Sequence, residues 1–243
     1  MSQQLDPTVT AFLDDCDPPV RGFLHRRSAS PNDAVGGDAL VLTHGAGSNC
    51  QAPLLVALAN KFAATGYTVL RCDLPYRQKH PHGPPFPSAS AEDRDGLRNA
   101  ASALRGLAPH RPFKRVFLGG HSYGGRQATM LAASDPALVD ALLLLSYPLH
   151  PPRKPDQTRT AHFRKLRIPA LFVHGTRDPF GSLPEMESAL KLIPAPTALT
   201  AVDGAGHDLS FGRAKRDATL DLPSKVLTHL SSLSGRVWGS AVE

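Results

Sequence analysis

The sequence predicts an α/β fold in which a mostly parallel, doubly wound sheet carries helices on both faces. Short apolar runs alternate with amphipathic stretches along the chain, which is typical of a parallel sheet covered by helices. Several of these runs have no polar interruption, as expected for strands that are buried on both faces. A chain of 243 residues, with 41% hydrophobic and 20% charged residues, can bury one sizeable core.

The predicted strands and helices follow one another in a regular order. Residues 1–37 are expected to add one or two antiparallel edge strands, with one at Val20–Leu24. The later predicted strands are Ala39–Thr43, Tyr67–Cys72, Arg115–Gly119, Ala141–Leu145, Pro169–His174 and Ala198–Val202. The predicted helices are Pro53–Ala64, one that starts from a capping box at Ser90-Ala91-Glu92-Asp93, Ser122–Ala133, Leu183–Leu192 and Pro223–Leu233.

Two long segments show no periodicity, Leu74–Ser88 and Ser146–Ile168. Loops of this length in a compact domain are usually functional. Residues 146–168 are interpreted as a short lid or rim loop, too small for a multi-helix cap, which predicts an open site. Neither segment resembles a linker, so we expect a single domain over residues 1–243. His80 and His82 have no carboxylate or cysteine beside them, and we predict neither a metal nor a cofactor.

Composition and charge exclude several classes of protein. No run of about 18 apolar residues is present, so no membrane span is expected. Met1–Asp17 holds four Asp and no Lys or Arg, unlike a signal peptide, and the three cysteines lack metal spacing; we expect a cytoplasmic protein.

The net charge of +6 is concentrated in one segment. Residues 146–168 hold six basic residues and one acid, either a solvated loop or a patch that steers an anionic partner. The segment lacks a regular alternation of basic and aromatic residues and has no recognised motif of nucleic-acid binding, so we predict no nucleic-acid partner.

A candidate nucleophile lies in Gly120-His121-Ser122-Tyr123-Gly124, which fits G-x-S-x-G. The motif directly follows a predicted strand and directly precedes a predicted helix, as a nucleophile elbow requires. Gly120 and Gly124 would let the strand and the helix approach closely. The alternative is a glycine-rich turn in which Ser122 only caps the helix.

A serine nucleophile needs a base, and the base needs an acid. Asp178 follows the strand that ends at His174, and His207 lies in the turn after the last strand. Because the carboxyl ends of parallel strands meet at one edge of a sheet, these residues are expected to converge on Ser122. Asp203 and Asp208 remain alternatives to Asp178, although they leave the turn rather than a strand end.

The segment His44-Gly45-Ala46-Gly47 follows a predicted strand and matches an oxyanion loop in position and glycine content. We expect the backbone N–H groups of Ala46 and Tyr123 to stabilise a developing oxyanion, and Gly45 and Gly47 to line the substrate site. The alternative is a glycine-rich turn that joins strand to helix.

Three further residues near these motifs are predicted to bind substrate: Tyr76, Arg77 and Arg126. The two arginines would either set substrate preference or brace the rims of the site. A solvated or carbonyl-capping role is the alternative for both.

Several motifs in this order are similar to a known family. They are HGAGSN (44–49), DLPYRQ (73–78), GHSYGGR (120–126), SYPLHPP (146–152), HGTRDPFG (174–181) and GAGH (204–207). From about Leu42 to Leu230 the chain resembles the α/β-hydrolases, specifically the dienelactone-hydrolase-related group that includes testis-expressed-protein-30-like proteins. The resemblance implies the α/β-hydrolase fold with a minimal lid and a triad of Ser122, Asp178 and His207. Dienelactone hydrolases use a cysteine nucleophile, whereas this chain has Ser122.

Together these observations predict a carboxylesterase-type serine hydrolase. It would cleave small, short-acyl esters through an acyl-enzyme intermediate, without a cofactor, and its partner would be the small-molecule ester. Whether the protein is a monomer or a dimer stays open. The alternative is a non-catalytic interaction or scaffold protein that retains the fold.

Overall fold

The computed structural model describes residues 7–27, 37–110, 112–210 and 216–238, with side chains of the last helix described for 221–233. Eight strands form one sheet in the order β1-β2-β4-β3-β5-β6-β7-β8. They are β1 Pro7–Asp14, β2 Val20–Arg27, β3 Ala39–Thr43, β4 Thr68–Cys72, β5 Val116–His121, β6 Ala141–Leu145, β7 Ala170–Gly175 and β8 Thr197–Val202. β1 and β2 pair antiparallel, as do β2 and β4, and all other pairs are parallel. The predicted fold class is confirmed.

Helices cover both faces of this sheet. They are α1 Pro53–Ala64, α2 Pro75–Lys79, α3 Ser90–Gly106, α4 Tyr123–Ser134, α5 Leu183–Leu190 and α6 Arg216–Trp238. Alternate side chains of a strand point to opposite faces, so Val41 packs with α3 and α4 in one buried layer. Leu40 and Leu42 pack with α1 and α6 in the other. The two layers enclose the sheet, and its carboxyl-terminal edge is left to hold polar side chains.

The predicted loop Leu74–Ser88 is partly helical. It contains α2 and a short 3₁₀ turn at Pro87–Ala89. Pro75 occupies the first turn of α2, where its fixed φ suits the helix and its missing N–H is not needed. A five-residue helix is too short to produce hydrophobic periodicity, which explains why the sequence pattern did not reveal it.

The capping box predicted at the start of α3 is wrong. The helix begins at Ser90 itself, and no side chain caps it. Ser90 Oγ instead donates to Gln127 Oε1 on α4 at 2.9 Å. A contact between two helices has therefore replaced the local contact that the sequence pattern favoured.

The two ends of the described chain extend beyond the predicted elements. One or two antiparallel edge strands were expected within residues 1–37, and two are present, while residues 1–6 and 28–36 lie outside the described residues. The last helix is longer than the predicted Pro223–Leu233, because Pro223 lies inside α6 instead of beginning it. Its predicted inward residues Val226, Leu230 and Leu233 are buried, and Leu227 is partly buried.

The segment 146–168 is fastened to the core. Tyr147 and Phe163 are fully buried, and their ring centroids lie 5.2 Å apart. Both rings also contact Phe172 of β7, with centroid separations of 5.9 and 6.2 Å. The segment therefore forms a fixed rim beside the sheet edge. None of the helices in the described part of the chain has the length and apolar character needed to cross a membrane.

A buried polar network connects the edge strands to the loop after β3. His25 Nδ1 donates to Asn60 Oδ1 at 2.9 Å, and His25 Nε2 accepts the Arg71 Nε–H at 2.7 Å. Arg71 also donates to the carbonyl of Cys50. Burial and, next in size, the Arg71 charge lower the pKa of His25 to about 4. The network thus requires a neutral His25, since a second ring proton would face a guanidinium.

This requirement predicts acid sensitivity. The folded-state pKa of His25 lies below its unfolded value of 6.5, so the unfolded chain binds the proton more tightly. The stabilisation is complete above about pH 6.5 and is lost as the pH falls towards 4. In His25→Gln, whose amide keeps a donor and an acceptor, the free energy of unfolding measured by urea titration should fall less between these pH values. The exposed His82→Gln is the control; a His25→Gln slope equal to that of the wild type would contradict the prediction.

Candidate active site

Ser122 lies at the sharp turn between β5 and α4, with φ 50° and ψ −113°. A positive φ is strained for a residue with a side chain. Close packing around the turn holds it in place. A Cβ on Gly120 would lie 2.6 Å from backbone atoms of Gly124 and Gly125, and a Cβ on Gly124 would lie 2.5 Å from the His44 carbonyl oxygen. Only glycine fits at positions 120 and 124, and the Ser122 side chain is thereby raised at the sheet edge.

The structure brings Ser122, His207 and Asp178 together. Ser122 Oγ lies 2.8 Å from His207 Nε2. His207 Nδ1 lies 2.8 Å from Asp178 Oδ2 and 3.0 Å from Oδ1. The Asp178 side chain is fully buried, and 22% of the His207 side chain is exposed. With Asp178 accepting the Nδ1–H, the free Nε2 of His207 faces the serine hydroxyl.

The alternative acids Asp203 and Asp208 contact other groups. Asp203 Oδ1 accepts the Thr176 hydroxyl at 3.4 Å, and Asp208 accepts the N–H and hydroxyl of Ser210 at 3.1 and 2.6 Å. Both residues leave the turn after β8 instead of a strand end. Asp178 is therefore the carboxylate that orients His207.

His207 is held from two further sides. His121 Nε2 donates to the His207 carbonyl oxygen at 2.7 Å. The Phe180 ring stacks on the imidazole with a centroid separation of 4.1 Å, and the Phe180 N–H donates to Asp178 Oδ1 at 2.9 Å. Sequence reasoning missed Phe180. The available signal was an aromatic residue two positions after the candidate acid.

The carbonyl oxygens of the loop after β3 are tied down. Tyr76 Oη donates to Ala46 O at 2.9 Å. Arg77 donates to Ala46 O at 2.9 Å and to Ser48 O at 2.8 Å, and its remaining donors reach two further carbonyls of its own rim. Tyr76 and Arg77 are 3% and 6% exposed. Both side chains brace the loop, which is one of the two roles predicted for Arg77, and their predicted contact with substrate stays a prediction.

His44 fixes the start of the same loop. Its Nδ1 donates to Gly45 O at 2.9 Å, and its Nε2 accepts the Leu74 N–H at 3.1 Å. Burial lowers the pKa of His44 to about 4, so the neutral ring that this pattern requires is present at neutral pH.

The loop packs directly against the serine turn. A Cβ on Gly45 would lie 2.8 Å from His121 Nδ1 and 3.4 Å from Ser122 Cβ. Gly47 is exposed and has open space around it. Tyr123 is the first residue of α4, so its N–H has no partner within the helix. The N–H groups expected from Ala46 and Tyr123 thus belong to the two segments that flank Ser122.

Asp93 is a second residue whose contacts at the site were missed, because sequence reasoning placed it in a capping box. Its buried carboxylate accepts the Tyr123 hydroxyl at 2.7 Å and the Tyr76 N–H at 3.0 Å. Burial raises the pKa of Asp93. The residue ties the rim helix α2 to the serine turn. The sequence did contain a signal: Asp93 lies four positions before Leu97 on the apolar face of α3, where a buried carboxylate needs hydrogen-bond partners.

Arg126 differs from Arg77. It lies in the first turn of α4, and its N–H donates to Ser122 O at 3.0 Å. Its Nε is buried and has no hydrogen-bond partner among the described residues. No hydrogen bond of the Arg126 side chain to another described residue is present, and its predicted role stays a prediction.

Residues 36–232 match the family model of the alpha/beta hydrolase domain. The chain belongs to this family. The match covers the sheet from β3 to β8 and all three residues of the Ser122 site.

Solved α/β-hydrolase-like structures superpose over nearly the whole chain. Dienelactone hydrolase from Anabaena variabilis is 22% identical with a TM-score of 0.68, covering 92% of this chain and 98% of its own. Est1E from Butyrivibrio proteoclasticus is 15% identical with a TM-score of 0.68, covering 93% and 99%. XC6422 from Xanthomonas campestris, described as an α/β serine hydrolase without a lid, is 18% identical with a TM-score of 0.67, covering 96% and 97%. These similarities establish the α/β-hydrolase fold.

The close packing around Ser122 predicts that an added methyl group destabilises the protein at Gly120 but not at Gly47. Gly120→Ala should lower the free energy of unfolding by about 1–3 kcal/mol or more, because its methyl group meets the backbone of α4. Gly47→Ala is the matched control and should change it by less than about 0.5 kcal/mol. Urea unfolding of both variants measures the difference, and equal stabilities would refute the packing argument.

Proposed function

We propose that the chain is a carboxylesterase-type serine hydrolase that cleaves small, short-acyl esters through an acyl-enzyme intermediate. Within its family, we assign it to the dienelactone-hydrolase-related group that includes testis-expressed-protein-30-like proteins. The shared motifs support this assignment, together with the fold similarity to dienelactone hydrolase from Anabaena variabilis. The esterase Est1E and the lidless serine hydrolase XC6422 share the fold as well.

One observation carries the proposal: the continuous hydrogen-bonded series from Asp178 through His207 to Ser122. In the proposed reaction His207 Nε2 takes the hydroxyl proton while Ser122 Oγ attacks the ester carbonyl. Collapse of the tetrahedral intermediate breaks the bond to the alcohol oxygen, which receives the proton from His207. Water then attacks the acyl-serine and gives a proton to His207. Collapse of this second tetrahedral intermediate breaks the bond to Ser122 Oγ, which takes the proton back from His207 as the acid leaves. Asp178 holds the tautomer and stabilises the imidazolium.

The negative charge of each tetrahedral intermediate needs donors. We assign this role to the N–H groups of Ala46 and Tyr123. The bracing of the loop supports the assignment, because Tyr76 and Arg77 occupy the Ala46 carbonyl oxygen. Because Tyr76 and Arg77 bind this carbonyl oxygen, the N–H groups of the loop are the ones that can face the substrate. Fixed donors of this kind are worth about 2.7–4 kcal/mol each in the transition state.

The rim favours small substrates. Residues 146–168 contain no α-helix that would close over Ser122, and their large apolar side chains are used in the core. Little apolar surface is therefore left to enclose a long acyl chain.

The nucleophile can be tested by covalent labelling. A fluorophosphonate probe should label the wild-type protein at Ser122, and p-nitrophenyl acetate should be hydrolysed with saturation kinetics. Ser122→Ala should lose the label and lower kcat by about 10⁴-fold or more. Mass spectrometry of the labelled peptide and steady-state kinetics provide the measurements.

The control for labelling is Ser134→Ala, which removes a hydroxyl at the other end of α4. Full activity in Ser122→Ala would refute the proposal. A folded wild-type protein that no fluorophosphonate labels would favour the scaffold alternative.

The open rim predicts a preference for short acyl groups. In an enclosing pocket, each added CH₂ would contribute about 0.8 kcal/mol, or roughly a fourfold gain in kcat/KM. On p-nitrophenyl esters from acetate to decanoate we expect no such gain beyond butyrate. A steady rise of kcat/KM with chain length would contradict the open site.

A further inference from the structure

A cavity of about 320 Å³ lies between the rim formed by residues 146–168 and helix α5. Leu149 and His150 line it from the rim, and Glu185 lines it from α5. None of its lining residues belongs to the hydrogen-bonded series that ends at Ser122, so this cavity is separate from the candidate active site. Its volume is at the lower end of the range for ligand sites, which suits a small molecule.

His150 presents an unused hydrogen-bond acceptor at this cavity. Its side chain is only 8% exposed. Its Nδ1 donates to Pro151 O at 2.8 Å, so Nε2 of the neutral ring carries no proton and can only accept. No described residue forms a hydrogen bond with this Nε2. Buried polar atoms normally have a partner, and an exception of this kind needs an explanation.

Glu185 places a negative charge beside the unused acceptor. Its Oε2 lies 3.6 Å from His150 Nε2, which is too long for a direct hydrogen bond. Ser182 donates to the same Oε2 from its N–H at 2.7 Å and from its hydroxyl at 2.6 Å. These hydrogen bonds lower the pKa of Glu185, so its carboxylate is ionised at neutral pH. Among the described residues that line the cavity, Glu185 is the one acid, and no lysine or arginine accompanies it.

Both acceptors are held in place by other contacts. The backbone N–H of His150 donates to Phe180 O at 3.1 Å, and the ring is fixed by its bond to Pro151 O. Glu185 is fixed by the capping box that it forms with Ser182 at the start of α5. Groups that are already ordered lose little conformational entropy when a ligand binds, which favours binding.

The remaining lining is suited to a hydrocarbon chain. Four of the lining residues are apolar: Leu149, Pro155, Ala189 and Leu192. A ligand with a positive charge at one end and a short hydrocarbon chain at the other matches this distribution. An ammonium group has three N–H donors, so one such group can donate to His150 Nε2 and to the carboxylate at the same time.

We propose that this cavity is a binding site for a small alkylammonium ion. The ammonium group donates to His150 Nε2 and to the Glu185 carboxylate, and the hydrocarbon chain packs against Leu149 and Leu192. An anionic ligand is disfavoured, because Glu185 repels it and a neutral His150 offers it no donor at Nε2. A neutral alcohol can donate to Nε2 but lacks the charge-assisted hydrogen bond to the carboxylate.

Calorimetry with n-butylammonium chloride tests the site in the full-length protein. The titration is run at about pH 8, where an ordinary histidine is neutral and an alkylamine is protonated. The wild type should bind in the millimolar range or more tightly. Glu185→Gln should weaken binding by about tenfold or more, because glutamine suits the capping box but has no charge. His150→Asn should weaken it by about fivefold or more, because the asparagine amide can replace only the Nδ1 donor.

The matched control is Glu187→Gln, which removes an exposed carboxylate from the same helix that does not line the cavity. Its affinity should stay within about twofold of the wild type at 0.15 M salt, where exposed charges are screened. The neutral ligand 1-butanol should bind about tenfold or more weakly than butylammonium. Shortening the chain to methylammonium should weaken binding by up to about fourfold for each CH₂ removed. Circular dichroism verifies that each variant is folded.

Binding at this cavity does not require the reaction proposed at Ser122. Ser122→Ala should therefore bind butylammonium as the wild type does, and a protein that cleaves no ester would leave the site intact. A wild type that binds no butylammonium would overturn the site, since His150 would then pair with Glu185 through a second ring proton. Equal affinities of the wild type and Glu185→Gln would also overturn it. Binding of 1-butanol as tightly as butylammonium would reduce the cavity to an apolar groove and refute the proposal.

Discussion

The site depends on the strained backbone of Ser122. Its positive φ is unfavourable by about 1–3 kcal/mol for a residue with a side chain. The strain persists because β5 and α4 approach so closely that no side chain fits at Gly120 or Gly124. Hydrogen bonds also fix the turn, from the Ser122 N–H to Leu145 O and from the Arg126 N–H to Ser122 O. Without this turn Ser122 Oγ would not stand at the sheet edge within reach of His207.

Parallel strands supply the rest of the geometry, which is why much of it was predictable from the sequence. The apolar runs located β3, β5, β6 and β7 closely, because strands buried on both faces have no polar interruptions. Once the strand ends are known, Asp178 and His207 must lie at the same edge as Ser122. The three residues are 56 and 29 positions apart along the chain, so no local pattern joins them. The topology alone brings them together.

The hydrogen bonds of polar side chains were the part that could not be predicted, since their partners are distant in sequence. Ser90 matches a local capping pattern, but its hydroxyl donates a hydrogen bond to Gln127 on another helix. Asp93 was interpreted as part of that cap and instead links Tyr76 to Tyr123. Local patterns predict local hydrogen bonds. A competing acceptor from across the fold overrides them wherever packing places it closer.

Arg77 and Arg126 illustrate the same limit with functional consequences. Both are arginines within motifs near Ser122, and the sequence gives no reason to separate them. The two arginines differ in the hydrogen-bond acceptors that surround them in the fold. Carbonyl oxygens surround Arg77, so its charge fixes the loop that carries Ala46. Arg126 has no such acceptors among the described residues, and its Nε is buried without a hydrogen bond. The same residue type therefore braces the fold at position 77 and has an unpaired buried Nε at position 126, and this difference depends on which carbonyl oxygens pack around each side chain.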